Sequence, residues 1–145
     1  AGLILSRQAL ETVTTPDVAE QLVRGAYVLQ DAPDAEAIII ATGSEVGIAL
    51  KAAVALNNAG VATRVVSAPC LEWFDQQPAE YRESVLPSKI TNVVAIEAGS
   101  TVGWFKYAKS VIGLDRFGAS GAPDLLYSEF GITADAVVSA VRANR

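Results

Sequence analysis

Several short stretches of this sequence gather residue types that could do chemistry. Thr42-Gly43-Ser44-Glu45 falls where an apolar run gives way to a helical pattern. In open α/β sheets the free backbone amides at such a helix start can hold an anion. The same residues also have the spacing of a capping box, Thr42 to Glu45, with Gly43 permitting the turn. Neither G-x-G-x-x-G nor G-x-x-x-x-G-K-[ST] occurs, so the stronger phosphate-binding patterns are missing. Glu97-Ala98-Gly99-Ser100 follows a second apolar run, and a carboxylate there has the chemistry of a base or of a partner for a substrate hydroxyl. A lone Glu at a strand end more often caps a helix or joins an ion pair. Thr42, Gly43, Ser44, Gly99 and Ser100 therefore form one candidate anion or regulatory site, and no residue is assigned as catalytic, cofactor-binding or metal-ligating.

Other residues invite chemistry less. Cys70 follows Pro69 and is flanked by the acids Glu72 and Asp75, and reads as an inert thiol. Trp73-Phe74 and Trp104-Phe105 could stack a planar ligand, but large aromatics in α/β domains usually pack between layers or at subunit contacts. The loop Asp115 to Pro123 offers Arg116 to a phosphate without a second basic neighbour, which favours a structural turn. The sequence contains no His, which removes the central component of Ser-His-Asp, Cys-His and most zinc sites.

The bulk properties narrow the classes further. A length of 145 residues suits one domain, expected over 1–145, with residues 1–14 as a linker or edge segment. The balance of 11 basic against 16 acidic residues, a net charge of −5, disfavours sequence-independent attraction to nucleic acid or anionic membranes. No apolar run approaches the roughly 20 residues needed to cross a bilayer, and the opening residues turn polar too early for a signal peptide. A single cysteine excludes an internal disulfide and fits a reducing, cytoplasmic setting. The lack of Met is expected of a piece excised from a longer protein.

The elements that must position these residues follow from apolar spacing. Leu3 to Ser6 reads as a short strand, and Thr15-Pro16-Asp17 opens a helix that runs from about Asp17 to Arg24 and ends at Gly25. Ala26 to Gln30 and Ala37 to Ala41 are strands that could form a hairpin across Asp31-Ala32-Pro33-Asp34. The second lacks polar alternation, the pattern of a strand covered on both faces. Val46, Ala49, Leu50, Ala53 and Val54 lie on one helical face, with Gly60 as the stop. Ala62 to Ala68 is a strand, Pro78 to Leu86 a short helix, and Asn92 to Glu97 a buried strand. A helix through Trp104, Tyr107 and Ala108 follows, then a last strand within Ile112 to Phe117. Pro123 opens a helix closed by Gly131, and Thr133 caps a final one. The alternation predicts a three-layer α/β/α sandwich with a mostly parallel sheet and one antiparallel strand.

The order of several motifs closely resembles the last portion of bacterial transketolases. They are Leu3-Ile4-Leu5-Ser6-Arg7-Gln8, Ala41-Thr42-Gly43-Ser44-Glu45-Val46, Tyr81-Arg82-Glu83-Ser84-Val85-Leu86-Pro87, Ile96-Glu97-Ala98-Gly99 and Phe117-Gly118-Ala119-Ser120, and the resemblance spans essentially the whole chain. It implies a C-terminal domain with a five-stranded mixed sheet, one strand antiparallel. It also implies a homodimeric parent enzyme of the pentose phosphate pathway that moves a two-carbon ketol group from ketose to aldose phosphates. Thiamine diphosphate and Mg2+ (or Ca2+) would serve the full-length enzyme, with no cofactor in this fragment, because cofactor and sugar-phosphate binding belong to the preceding domains and the second subunit. The domain's own role is then noncatalytic and dimer-supporting; the alternative is a regulatory anion- or nucleotide-binding module.

Overall fold

The computed structural model describes Ser6 and residues 8–145. Its architecture radiates from β2 (Ala37–Ala41), whose Ala-Ile-Ile-Ile-Ala side chains are all fully buried. A strand apolar on both faces is stable only with a strand on each side and a helical layer above and below. β2 accordingly pairs in parallel with β3 (Thr63–Ser67) and with β4 (Val93–Ile96). β5 (Ser110–Ile112) continues the parallel set beside β4, and β1 (Tyr27–Gln30) closes the other edge antiparallel to β3, giving the order β1-β3-β2-β4-β5.

Alternation along the strands divides the core in two. Ala37, Ile39, Ala41, Val65, Val94 and Ile96 face α2 (Val46–Asn58) and α6 (Ala134–Ala143). Ala49, Ala52 and Ala53 of α2 are fully buried, and their small side chains let this helix lie close to the sheet. Ile38, Ile40, Val66, Val93 and Ala95 face the opposite layer. That layer is built from α3 (Leu71–Asp75), α4 (Ala79–Val85) and a 3-10 turn over Val102–Lys106. The three-layer sandwich and mixed five-stranded sheet are as the sequence predicts. So is the cap of α6, where Thr133 Oγ1 accepts from the Ala136 amide at 3.2 Å. Asn92 Nδ2 fastens the far end of α6 by donating to the Val141 carbonyl at 2.9 Å.

Four local expectations are corrected. β1 and β2 form no hairpin: β2 already has β3 and β4 on its two edges, so β1 pairs with β3, and Arg64 of β3 holds the connecting segment through Asp31 at 2.8 Å. The helix expected over Asp17 to Arg24 breaks into α1 (Pro16–Ala19) and a 3-10 turn, Leu22–Arg24. α1 buries no residue, so no packing sustains a longer helix. The segment through Trp104 is a 3-10 turn that ends before Tyr107 and Ala108. The last strand ends at Ile112, because Gly113 turns tightly under the preceding loop; a Cβ there would stand 2.8 Å from the Gly99 carbonyl oxygen. The strand expected at Leu3 to Ser6 lies, but for Ser6, outside the described residues.

Candidate functional site

The order of the sheet creates a crevice. From β2 the chain passes through α2 to β3 on one side, and later returns to β4 on the other side of β2. The connections thus diverge at the C-terminal ends of β2 and β4, where open α/β sheets bind ligands. The register, with Ala41 beside Ile96, brings Thr42-Gly43-Ser44 and Gly99-Ser100 to this same edge. All five residues singled out from the sequence therefore lie at one edge of the sheet, beyond the ends of β2 and β4.

What occupies its floor is acidic. After Ala41, Thr42 is extended, and Gly43 adopts φ +54°, a left-handed conformation that glycine takes without a Cβ penalty. The chain then winds through a 3-10 turn, Gly43–Glu45, into α2. This geometry abolishes the expected capping box, since Thr42 makes no side-chain cap bond. Glu45 instead turns inward, is only 2% exposed, and accepts a hydrogen bond from the Tyr127 hydroxyl at 2.5 Å. Ser44 Oγ lies 3.3 Å from that hydroxyl, and Gln8 Nε2 donates to it at 3.4 Å. Tyr127 belongs to α5 (Pro123–Glu129), so the contact ties a late helix to the first crossover. Burial and the bond to Glu45 both push the phenol's pKa up.

Glu97 stands at the end of β4. Burial, with the negative charge of Glu45 added, pushes its pKa up to about 7, and its Oε2 is buried without a hydrogen-bond donor. A third carboxylate, Asp115, takes up the loop donors beside it. Its Oδ1 accepts from the Thr101 amide at 2.9 Å and from Ser100 Oγ at 3.2 Å, and its Oδ2 accepts from Thr101 Oγ1 at 2.7 Å. These bonds, led by that of the Thr101 amide, hold the Asp115 carboxyl below its usual pKa. Ser100 is thereby committed to an internal carboxylate.

Sequence reasoning placed the edge but missed its composition. Glu45 read as a cap, while Tyr127 and Asp115 carried no signal because their partners are 82 and 14 residues away. The readable clue was a repeated one: two parallel strands each followed within a few residues by Glu. Elsewhere, Trp104 and Phe74 are buried between layers, whereas Trp73 and Phe105 are exposed. Cys70 Sγ lies 3.6 Å from Glu72 Oε2. Arg116 rests over the Phe130 ring, 5.4 Å from its centroid, and donates to the Phe117 carbonyl. Beside the crevice, a cleft of about 710 Å³ opens between residues 8–13, α2 and α5, with Lys51 and Tyr127 on its walls.

The fold and this edge define a doubly covered α/β domain with a switch-point crevice lined by acids. Residues 25–133 match the model of the transketolase-like TK C-terminal domain, and the chain belongs to that family. It is 48% identical over 146 residues to the chloroplastic transketolase of Solanum tuberosum, a match covering 97% of this chain and 20% of that protein. Transketolase 1 of Escherichia coli is 47% identical, with 95% of this chain and 22% of that protein covered. The solved transketolase of Leishmania mexicana superposes with a TM-score of 0.84 at 42% identity, covering 92% of this chain and 19% of that one. A split-gene transketolase described as an inactive beta4 tetramer gives 0.73 at 26% identity, covering 95% of this chain and 47% of that one. This chain thus spans about one fifth of the length of its full-length relatives.

Proposed function

We propose that this chain is the noncatalytic C-terminal domain of a thiamine-diphosphate-dependent transketolase, supporting a homodimer whose reacting groups lie outside it. One observation carries the reading: nearly all of the chain aligns with the transketolase of Solanum tuberosum, yet only a fifth of that enzyme is covered. The chemistry of the crevice agrees with it. Thiamine diphosphate presents a polyanionic diphosphate, and the strand edge offers Glu45, Glu97 and Asp115, none of them bonded to a Lys or Arg among the described residues. These residues do not fit the cofactor, and no step of ketol transfer is assigned to them.

Titration calorimetry of the isolated chain with thiamine diphosphate and Mg2+ tests the reading. No heat of binding is expected, and micromolar affinity overturns it. Ketol transfer between sugar phosphates belongs to the parent enzyme in this reading, as does its cytoplasmic location; among the described residues no helix is long and apolar enough to cross a membrane.

A regulatory module is the second reading, favoured by the position of Thr42, Gly43, Ser44, Gly99 and Ser100 at the switch point. The buried Glu45 and the Ser100–Asp115 bond weigh against an anionic ligand there. Amide shifts at Ser44 and Ser100 on adding millimolar phosphate or nucleotide would support the module, and unchanged spectra remove it.

A further inference from the structure

Between β5 and α5 the chain runs as an open loop. Residues 115–125 are exposed without a break, the longest such run among the described residues. Among those residues, no backbone–backbone hydrogen bond involves 115–121. The stretch Phe117-Gly118-Ala119-Ser120-Gly121-Ala122 carries one large side chain, Phe117, which is 95% exposed. Gly118 beside it stands in open space, since a Cβ there would meet nothing within 4 Å. Exposed segments of small residues are where folded chains are nicked, because a protease needs its substrate extended with main-chain groups free to bond.

The side chain narrows the site to one bond. Trp73 and Phe105 are exposed as well, but Trp73 lies in α3 and Phe105 in the 3-10 turn Val102–Lys106. Both are held in place: the Trp73 carbonyl accepts from Gln77 Nε2 at 3.1 Å, and Lys106, next to Phe105, donates to Asp75 at 2.5 Å. Tyr81 and Tyr127 lie in helices, and their hydroxyls donate to the Ala26 carbonyl and to Glu45. Phe117 alone among the described aromatics is exposed on a segment without regular structure.

We propose that the Phe117–Gly118 bond is a processing site for an endoprotease that takes a large aromatic side chain, and that the domain stays folded after the cut. The hydrolysis consumes one water: its oxygen bonds to the Phe117 carbonyl carbon, the C–N bond breaks, and Gly118 departs with the proton as an amine. The new carboxylate forms beside Arg116, whose Nε already donates to the Phe117 carbonyl at 3.3 Å. The cut divides the chain into a piece that carries all five strands and a piece that carries α5 and α6. Both new ends are anchored. Before the cut, the Leu114 amide donates to the Gly99 carbonyl at 2.7 Å, and Asp115 holds Ser100 and Thr101. After it, Tyr127 is bonded to Glu45, and Ile132, Val137 and Val141 are buried in the core beneath α2. Asn92 Nδ2 and Ser110 Oγ add bonds to the Val141 carbonyl and to Asn144 Oδ1, each at 2.9 Å.

Limited digestion of the chain with chymotrypsin in native buffer, read by intact mass, tests the proposal. Among the bonds beyond Pro16, the one after Phe117 is expected to be cut first. The two pieces should then elute together in gel filtration, at the position of the uncut chain. A first cut at any other bond beyond Pro16 overturns the proposal, as does a chain that stays intact until urea unfolds it. Pieces that elute apart after cleavage at Phe117 overturn the second half of it. Phe117→Ala should slow the cut by about a hundredfold through the empty aromatic pocket of the protease. The same variant should keep the melting midpoint of the parent chain, because the side chain is 95% exposed. Equal cleavage rates for the variant and the parent chain overturn the assignment of the bond.

Discussion

Glu97 is the residue whose titration the fold alters most clearly. Its pKa is raised from an ordinary 4.5 to about 7, first by burial and then by Glu45. A raised carboxyl pKa means that the folded state prefers the protonated form. The stability tied to this group is therefore complete below pH 4.5 and is lost as pH rises through about 7. The side chain is half-buried, so solvent screening reduces the effect to about 1–2 kcal/mol. Glu97→Gln removes the titration, and urea unfolding should find the variant more stable than the parent chain at pH 8 but nearly equal at pH 4.5. Parallel stability curves for the two proteins across that range would refute the assignment. Tyr127→Phe tests the neighbouring contact: Glu45 keeps its burial and loses its donor, at a cost of about 1–3 kcal/mol in urea unfolding at neutral pH. Neither carboxylate's role was legible in the sequence: Glu97 directly follows β4 and Glu45 stands four residues past β2, and at either place a carboxylate has the same local signature whether it caps a helix or turns inward. Only the placement of α5, distant in the chain, decides between them.

At the scale of elements, what packs on both sides was legible and what packs on one side was not. The uninterrupted apolar run of β2 announced a central strand, and the helical spacing and Thr133 cap announced α2 and α6. Thr133→Ala should destabilise the chain by about 1 kcal/mol through loss of the bond to the Ala136 amide, read as a shift in the urea midpoint. Thr133→Ser, which keeps the acceptor, should restore most of that loss, and no difference between the two variants would deny the cap. The edge strands were harder. β1 has a single fully buried residue, Tyr27, and β5 has none, so their partners and ends are set by tertiary contacts that leave no periodicity. Gly113 shows this. Nothing in its neighbours distinguishes it from a loop glycine, yet the contact with the Gly99 carbonyl requires that it lack a Cβ, and this contact ends β5. Gly113→Ala should cost more than an exposed glycine-to-alanine change at Gly103, where a Cβ meets nothing within 4 Å. Similar melting temperatures for the two variants would remove the close approach as the cause.

Over the described residues, the two core layers lie on opposite faces of the sheet, and β2 is the strand both need. Ile38 and Ile40 belong to one layer and Ile39 to the other, so opening β2 exposes both cores at once. Its two parallel ladders, to β3 and β4, have to break together, whereas β1 and β5 each hold the sheet by one ladder. Opening energies in such a structure range from near zero at loosely held segments up to the global stability at the centre. Native-state hydrogen exchange should accordingly rank the amides of Ile38 to Ala41, Val65, Val66 and Val94 to Ile96 slowest, exchanging only through global unfolding and with full sensitivity to urea. The amides of β1 and β5 should exchange through smaller openings that respond weakly to urea. Ile39→Ala, which empties a fully buried site, is expected to cost about 2–5 kcal/mol and to accelerate the central group by the same free energy. It should leave the exchange of the edge strands nearly unchanged. If the edge strands instead slow and accelerate together with β2, the sheet opens as one unit, and the central strand has no special place in holding the two layers together.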